Sequence, residues 1–292
     1  MAKKFSPDKL KIFRNLSREL TVVENDLDGA QMLLENLKLN DIPVIGITGP
    51  PGAGKSTLVS NLLNELSEDK KSVAVLAVDP TSPFTSGSLL GDRVRMQNCY
   101  TNPETYIRSV ATRGALGGLS GKIIEMTDIL RSYPFDYILI ETVGVGQSEV
   151  EIAELADITF VVLVPESGDE IQSIKAGIME IADAFIVNKA DREGAEKFVR
   201  NLHAVTHINS PPIFKTVATK SEGIADIISF IKGYQPDSKS KISLLAKKAW
   251  ELIKNKRMAA FSKTELQVEI GKAQLDPNFN IYRFAESKVR NS

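Results

Sequence analysis

Residues 44–57 read Val44-Ile45-Gly46-Ile47-Thr48-Gly49-Pro50-Pro51-Gly52-Ala53-Gly54-Lys55-Ser56-Thr57, and this stretch decides the fold. A short apolar run leads into the pattern G-x-x-x-x-G-K-[ST], and a stretch of helical character follows over residues 58–66. Strand, glycine-rich loop and helix in this order form a phosphate-binding loop, because backbone N–H groups and the positive end of the helix dipole converge on phosphate oxygens. We therefore predict that a nucleoside triphosphate binds here.

The last residues of this loop carry the side-chain chemistry. Lys55 is expected to bridge the β- and γ-phosphates, and the Ser56 hydroxyl is expected to ligate Mg²⁺. The remaining positions are expected to contact the nucleotide mainly through their backbone, and they are Gly49, Pro50, Pro51, Gly52, Ala53, Gly54 and Thr57. No tightly bound cofactor is expected besides the nucleotide and Mg²⁺.

Further apolar runs follow the phosphate loop, at residues 73–78, 137–140, 158–164, 184–187 and 213–217. Most are apolar throughout, which is typical of parallel strands covered on both faces. With helical stretches between them, they predict an α/β protein with a doubly wound, mainly parallel sheet. Ligands in such sheets bind beyond the carboxyl ends of the strands.

Helical periodicity flanks this central region on both sides. Apolar residues recur at three- and four-residue steps over residues 5–40, and again over 243–253 and around 261–270. We predict three parts: an N-terminal helical region over 1–41, a nucleotide-binding domain over 42–236 and a C-terminal helical arm over 237–292. The arm would either form a dimer interface or cover the sheet within one monomer, and the pattern leaves both open.

Composition limits the partners. The 36 basic and 37 acidic residues give a formal charge of −1, so nothing indicates a nucleic-acid or membrane-surface footprint. No apolar run approaches the roughly 20 residues of a membrane span. The single Cys99 cannot form an intramolecular disulfide, which fits a reducing compartment. We expect a soluble, cytoplasmic protein that binds neither nucleic acid nor membrane.

Asn188-Lys189-Ala190-Asp191 follows the apolar run over 184–187 and is similar to the guanine-specificity motif of G proteins. The Asp191 carboxylate can accept hydrogen bonds from the ring N–H and the exocyclic amino group of guanine. Adenine offers neither donor in that arrangement, and a buried carboxylate left without them is costly. Lys189 can lie along the base, and Asn188 can tie this loop to the phosphate loop.

A second base-contact segment is expected after the last apolar run. Val217-Ala218-Thr219-Lys220 matches the position of the fifth motif of G proteins, whose backbone contacts the base oxygen. The match is incomplete, since Val217 stands where those proteins usually have Ser. We include Ala218, Thr219 and Lys220 among the expected nucleotide-binding residues.

Acidic residues end two of the predicted strands. Asp79 closes the run over 73–78 and opens a loop that reaches Asp92, and Glu141 closes the run over 137–140, three residues before Gly144. Carboxylates at strand ends that face a triphosphate are suited to bind Mg²⁺ or to hold the attacking water, because hard cations prefer oxygen ligands. Asp79 precedes Pro80 and could equally begin a turn.

Longer blocks around these positions resemble one family. They are Asp79-Pro80-Thr81-Ser82, Gly87-Ser88-Leu89-Leu90-Gly91-Asp92-Arg93-Val94-Arg95-Met96, Arg113-Gly114-Ala115-Leu116-Gly117-Gly118, Glu141-Thr142-Val143-Gly144-Val145-Gly146-Gln147-Ser148-Glu149 and Gly168-Asp169-Glu170-Ile171-Gln172-Ser173-Ile174-Lys175-Ala176-Gly177-Ile178. The chain resembles the methylmalonyl-CoA mutase-associated GTPases, the MeaB/ArgK group of the SIMIBI class of P-loop GTPases, over about residues 15–255.

The resemblance implies a GTPase chaperone that protects an adenosylcobalamin-dependent acyl-CoA mutase, most commonly methylmalonyl-CoA mutase, and gates its cobalamin loading. It also implies a homodimer formed through the C-terminal helices. By position, Asp79 and Asp92 match switch I acids, and Glu141 matches the Walker B-like acid. With Lys55 they make up the expected catalytic set, and with Ser56 the three acids make up the expected Mg²⁺ set.

The two remaining switches follow from the same resemblance. Residues 144–149, beginning at Gly144, match switch II. Gln172 and Lys175 fall in switch III, which is read by the partner. The chain departs from the family pattern at Ser86, Arg93, Ser173 and Ala176, which bears on the identity of the partner and not on the phosphate or base contacts.

The block after Glu141 lacks an obvious counterpart of the water-orienting glutamine of other GTPases, since Gln147 lies further along the chain. We therefore expect slow intrinsic hydrolysis that becomes faster when the partner binds.

Two other functions remain as alternatives. A metallochaperone-type GTPase on the same fold would need a Cys/His cluster, and the sequence offers Cys99, His203 and His207. The two histidines lie four residues apart on a predicted helix, without a third ligand nearby. A kinase or transport-type ATPase would need a phospho-acceptor site or an adenine pocket, and Asp191 argues against adenine.

Overall fold

The computed structural model describes residues 6–79, 102–111, 122–142, 144, 151–168, 179–206, 211–234, 238–258, 261–276 and 279–290. The chain forms two compact units, Met1–Lys241 and Ile242–Ser292. The division falls inside a helix that begins at Ser238. The three-part organisation predicted above stays a prediction.

The first unit contains the strands and six of the described helices. The strands are β1 (Val44–Thr48), β2 (Val73–Asp79), β3 (Thr105–Ala111), β4 (Tyr137–Glu141), β5 (Ile158–Leu163), β6 (Ala184–Asn188) and β7 (Ile213–Thr216). The helices are α1 (Pro7–Glu24), α2 (Ala30–Glu35), α3 (Lys55–Glu68), α4 (Ile123–Arg131), α5 (Ala195–Val205) and α6 (Ile224–Gly233). Short 3₁₀ helices lie at Ile152–Glu154, Pro165–Gly168 and Ala218–Lys220.

The strands form one seven-stranded sheet in the order β3-β2-β4-β1-β5-β6-β7. Every neighbouring pair is parallel. The predicted doubly wound parallel sheet is therefore confirmed. From β1 the chain first builds β2, β3 and β4 on one side and then β5, β6 and β7 on the other, so the change of direction lies at the end of β1. A crevice for a ligand is expected at such a point.

Helices cover both faces of the sheet. Ile45 and Ile47 of β1 pack with α3 and α6 in one buried cluster, while Val44 packs with α1 and α4 in another. Neighbouring residues of a strand point to opposite faces, so a strand buried on both faces must be apolar at every position. This burial explains why the central strands appear in the sequence as continuous apolar runs.

β3 was not predicted. Its sequence contains Thr105, Arg108 and Ser109, and it lies at the edge of the sheet beside β2. Arg108 forms an ion pair with Glu24 of α1, at 2.5 Å. The charge of Arg108 is thus matched by a helix more than 80 residues earlier in the chain, and no local pattern predicts that match.

The predicted helix over residues 5–40 is wrong in its middle. α1 ends at Glu24, and Asp26 and Gly29 then adopt positive φ values of 51° and 90° before α2 begins. A residue in the left-handed region terminates a helix. α1 buries Leu16 and Leu20 in the cluster that it shares with α4.

Aspartates stand immediately before β4, β5 and β6, and each makes a reciprocal pair of hydrogen bonds with the neighbouring chain segment. The backbone N–H of the aspartate donates to a carbonyl, and its Oδ2 accepts from the N–H of that same residue. The pairs are Asp136 with Ser72 (2.7 and 2.8 Å), Asp157 with Val44 (2.7 and 2.8 Å) and Asp183 with Thr159 (2.9 and 2.7 Å). Burial raises the pKa of the Asp183 carboxyl. These pairs fix the strand register at the amino ends of the strands, on the side of the sheet opposite the phosphate loop.

Replacing Asp157 with alanine is expected to lower the free energy of unfolding by about 2–4 kcal/mol. The change removes the acceptor of the buried Val44 N–H and of the Arg131 guanidinium, which lies 2.7 Å from the carboxylate. Urea unfolding of the Asp157→Ala protein measures the loss. Asp136→Ala is the matched control, because that side chain is 37% exposed and water can replace it. Equal losses in the two proteins would contradict the argument.

The second unit consists of most of α7 (Ser238–Met258), together with α8 (Lys263–Ala273) and α9 (Ile281–Arg290). α7 and α8 occupy the helical stretches predicted for this region, and α9 was not predicted. Within the unit, Lys288 forms an ion pair with Glu269 at 2.5 Å. Across the described part of the whole chain, every helix is too short or too polar to span a membrane.

Candidate nucleotide-binding site

The loop between β1 and α3 has the backbone of a phosphate-binding turn. Gly49 and Gly54 adopt φ values of 138° and 90°, a region that side chains other than glycine rarely enter. A Cβ atom at Gly49 would also collide with the backbone carbonyl of Val162 on β5. The loop therefore lies tightly against the end of the neighbouring strand, and α3 begins directly after it at Lys55.

Lys55 is buried, with 6% of its surface exposed, and its ammonium group is folded into the loop. Its Nζ donates to the carbonyl oxygens of Gly49 and Pro50, at 2.8 and 3.0 Å. A positive charge is thus held at the centre of the loop, among the backbone groups on which a phosphate would lie.

Ser56 and Glu141 meet below the loop. The Ser56 hydroxyl donates to Glu141 Oε1 at 2.6 Å, and both residues are buried. The contact arises because Glu141 ends β4, which pairs with β1 so that Ile47 is opposite Glu141. A hydroxyl and a carboxylate side by side are hard oxygen donors, so this pair fits the ligand preference of Mg²⁺.

Gly144, three residues after β4 ends, approaches the loop closely. It adopts a φ of 84°, and a Cβ atom there would collide with the Gly49 carbonyl and lie 2.6 Å from Lys55 Nζ. Before it, the Thr142 hydroxyl donates to Thr48 Oγ1 at 2.9 Å. The end of β4 is thereby held against the phosphate loop, at a position where only a glycine fits without strain.

Asn188, at the end of β6, joins three chain segments through one buried side chain. Its Nδ2 donates to the Ala53 carbonyl of the phosphate loop at 2.8 Å. Its Oδ1 accepts from the Thr216 hydroxyl and from the Ala218 N–H, both at 3.1 Å. Asn188 thus connects the phosphate loop to the ends of β6 and β7.

Replacing Asn188 with alanine is expected to lower the free energy of unfolding by about 2–4 kcal/mol, because its three buried partners, on the phosphate loop and at the end of β7, each lose a hydrogen bond. Urea unfolding without nucleotide measures the change. Asn201→Ala, at an exposed position of α5, is the control and is expected to alter stability by less than about 0.5 kcal/mol. A loss below about 1 kcal/mol in Asn188→Ala would show that the three segments hold together without it.

The two predicted base-contact segments lie together beyond β6 and β7. Lys189 adopts a φ of 57°, and the Ala190 N–H donates to the Thr216 carbonyl at 3.0 Å. The half-exposed carboxylate of Asp191 lies 3.6 Å from Lys220 Nζ. Thr219 is exposed beside Lys220, whereas Ala218 is buried.

Several predicted site residues lie outside the described residues. They are Asp92, Gln172 and Lys175, together with Gln147 and the departures at Ser86, Arg93, Ser173 and Ala176. Asp79 is placed as the last residue of β2, opposite Ala111 of β3. His203 is exposed on α5, and His207 is outside the described residues. Within the described ranges, no group of three His, Cys, Asp or Glu side chains is arranged to hold a metal ion.

Sequence reasoning missed two side chains at this site. Thr142 was quoted only as part of a motif, and its hydroxyl contact with Thr48 depends on the pairing of β4 with β1. Asn61 of α3 belongs to none of the motifs, and its amide donates to the Ala218 carbonyl. Its position on the helix that follows the phosphate loop is a weak signal, because that helix also carries residues that pack in the core.

The parallel sheet, the loop between β1 and α3, and the Asn-Lys-x-Asp segment fastened to that loop define a P-loop GTPase. Comparison with known proteins narrows the class. The sequence model of the family described as "Methylmalonyl Co-A mutase-associated GTPase MeaB" matches residues 16–267, and the chain belongs to this family.

Individual relatives agree with that assignment. A putative GTPase of Pyrococcus abyssi is 46% identical over 233 residues, which are 76% of this chain and 72% of the relative. The methylmalonic aciduria type A homolog, mitochondrial, of Caenorhabditis briggsae is 36% identical over 240 residues, 75% of this chain and 58% of the relative. The solved structure of a LAO/AO transport system kinase has a TM-score of 0.62 at 23% identity, covering 99% of this chain and 94% of that one. At that identity it supports the fold alone.

Proposed function

We propose that this protein binds and hydrolyses GTP and acts as a chaperone of an adenosylcobalamin-dependent acyl-CoA mutase, with methylmalonyl-CoA mutase as the client. In this role it protects the mutase and gates the loading of its cobalamin cofactor. The family match over residues 16–267 supports the link to the mutase. The contact of Asn188 with the phosphate loop carries the nucleotide half of the proposal.

That contact matters because it relates two motifs that are separate in the sequence. Asn188 begins the Asn-Lys-x-Asp segment, and its amide is bonded to Ala53 inside the phosphate loop. A nucleotide whose phosphates occupy the loop would therefore have its base near residues 189–191 and 218–220. The Asp191 carboxylate there would accept from the two donors of guanine, which selects GTP over ATP.

Hydrolysis would depend on positioning and charge. Lys55 would turn from the Gly49 and Pro50 carbonyls to the β- and γ-phosphates, and the loop N–H groups would hold the same oxygens. Ser56 and Glu141 are the residues that would hold Mg²⁺, with Asp79 and Asp92 as further candidates. When bound, Mg²⁺ supplies positive charge that neutralises the phosphates. A carboxylate at a strand end would orient the attacking water.

The partner would control the rate. We propose slow intrinsic turnover that accelerates on contact with the mutase, with Gln172 and Lys175 in the segment that reads the partner. We also propose a homodimer formed through the C-terminal helices. Large apolar side chains of that unit are exposed, among them Trp250 (67%), Leu275 (84%) and Tyr282 (82%), and a second copy would cover such a surface.

The test is to measure binding and hydrolysis of GTP and ATP by the purified protein, alone and with methylmalonyl-CoA mutase. Selective GTP binding, with slow turnover that rises when the mutase is added, is the expected result. Adenosylcobalamin bound to the mutase, followed by absorbance, should depend on whether GTP or GDP is present. Equal binding and hydrolysis of ATP and GTP would overturn the guanine assignment. A rate of GTP hydrolysis that is the same with and without the mutase would overturn the choice of client.

A further inference from the structure

Asn61 connects the phosphate-binding half of the site to the base-binding half. It lies on α3, about two helical turns after Lys55, and it is partly buried. Its Nδ2 donates to the carbonyl of Ala218, the first residue of the 3₁₀ helix Ala218–Lys220. These two residues are 157 positions apart in the sequence.

Both backbone polar groups of Ala218, its N–H and its carbonyl, are hydrogen-bonded to asparagine side chains. Its N–H donates to Asn188 Oδ1 at 3.1 Å, and its carbonyl accepts from Asn61. The same carbonyl accepts from the Ser221 N–H at 3.3 Å, which closes the 3₁₀ turn. Asn188 therefore anchors the turn from β6, whereas Asn61 anchors it from α3.

The orientation of this turn decides where the base-contact groups lie. Lys220 ends the turn, and its Nζ lies 3.6 Å from the Asp191 carboxylate. The turn therefore places a positive charge beside the carboxylate that would bind the base. Thr219 and Lys220 are exposed, and the two asparagine anchors act on the backbone of Ala218, the buried first residue of the turn. A shift of Ala218 would move both side chains relative to Asp191.

We propose that Asn61 is a positioning residue for the nucleotide base. Asn61 fixes the 218–220 turn relative to the phosphate loop. The distance between the groups that would bind the base and those that would bind the phosphates is thereby kept constant. This inference rests on the proposed function, since it concerns the site that would hold GTP. Asn61 is expected to affect nucleotide affinity and not the chemical step, because its amide faces the base-binding turn and not the phosphates.

The test compares steady-state GTP hydrolysis by the unmodified protein, Asn61→Leu and Asn61→Asp. Leucine keeps the size of the side chain and removes the donor, while aspartate places a carboxylate against the Ala218 carbonyl. KM for GTP is expected to rise about three- to tenfold in Asn61→Leu and at least as much in Asn61→Asp. The turnover number kcat is expected to stay within about twofold, because binding is lost equally in the ground and transition states.

Inorganic pyrophosphate separates the two halves of the site. It is expected to inhibit all these proteins with the same inhibition constant, because it would occupy the phosphate loop alone. Asn201→Leu, at an exposed position of α5, is the matched control and is expected to behave like the unmodified protein. Thermal unfolding without nucleotide reports whether each variant folds.

The outcomes are distinct. An unmodified protein that fails to hydrolyse GTP would overturn the proposed function and this inference with it. If the unmodified protein hydrolyses GTP and KM is unchanged in both Asn61 variants, the inference alone is wrong. A fall in kcat at constant KM, or weaker pyrophosphate inhibition, would place Asn61 on the phosphate side. Loss of folding in both variants would make it a residue of the core.

Discussion

Replacing Lys55 with methionine is expected to lower the turnover number for GTP hydrolysis by at least about a hundredfold. In a P-loop site the catalytic contribution of the protein is positioning and charge, and this ammonium would carry the charge closest to the transferred phosphoryl group. Methionine retains an unbranched side chain at this buried position and removes the charge. The size of the loss follows from removing a group that stabilises charge in the transition state.

The fold is expected to survive this change. Lys55 Nζ donates to two loop carbonyls, and the side chain is almost fully buried. Removing the ammonium loses these bonds but also removes the cost of keeping a charge away from water, so the two effects oppose each other. The free energy of unfolding without nucleotide is therefore expected to change by less than about 2 kcal/mol.

Two measurements separate catalysis from folding. Single-turnover hydrolysis of GTP gives the chemical rate, and thermal unfolding with and without GDP gives the stabilisation by ligand, which is about 2.7 kcal/mol at a hundredfold excess over Kd. Both the rate and the GDP-dependent stabilisation should fall in Lys55→Met. Lys197→Met, at an exposed position of α5, should match the unmodified protein in both. Hydrolysis at more than a tenth of the normal rate in Lys55→Met would contradict the role.

Much of the fold could be predicted because its signals are local. A strand buried on both faces is apolar at each position, and the phosphate loop requires glycine at fixed places, so β1, the loop and α3 are all encoded within residues 44–68. β3 was missed for the opposite reason. Arg108 in this strand is paired with Glu24 of α1, and that pairing depends on the tertiary structure.

The residues of the site show the same difference between local signals and contacts that depend on the tertiary structure. The motifs predicted which residues lie at the strand ends, and that Asn188 can tie its loop to the phosphate loop, but they did not indicate which atoms make the contacts. The bond from Asn188 to Ala53 and the bond from Ser56 to Glu141 each depend on strand order, which brings β6 and β4 beside the loop. Asn61 belongs to no motif, since its partner is a backbone carbonyl and any residue at 218 would present one.

Replacing Asp191 with asparagine is expected to weaken GTP binding by about two to four orders of magnitude while strengthening the binding of xanthosine triphosphate. A carboxylate accepts from both the ring N–H and the exocyclic amino group of guanine. The amide of asparagine keeps one acceptor and replaces the other with a donor. That donor opposes the guanine amino group and matches the carbonyl oxygen that xanthine has in its place.

The surroundings of Asp191 favour a change confined to base selection. The carboxylate is half exposed, and its neighbour Lys220 is at 3.6 Å, so neither packing nor a buried ion pair depends on it. Stability without nucleotide is therefore expected to change by less than about 0.5 kcal/mol. Asp226→Asn, at an exposed position in the first turn of α6, is the matched control and should leave nucleotide selection unchanged.

Competition of GTP, XTP and ATP against a fluorescent GDP analogue tests the prediction, because it reports binding without requiring turnover. The reversal of preference between GTP and XTP is the decisive feature, since general damage to the site would weaken all nucleotides together. If Asp191→Asn binds the three nucleotides with unchanged preference, the base does not lie on residues 188–191. The likeness of that segment to a guanine motif would then be a coincidence of sequence, and the ATPase alternative would return.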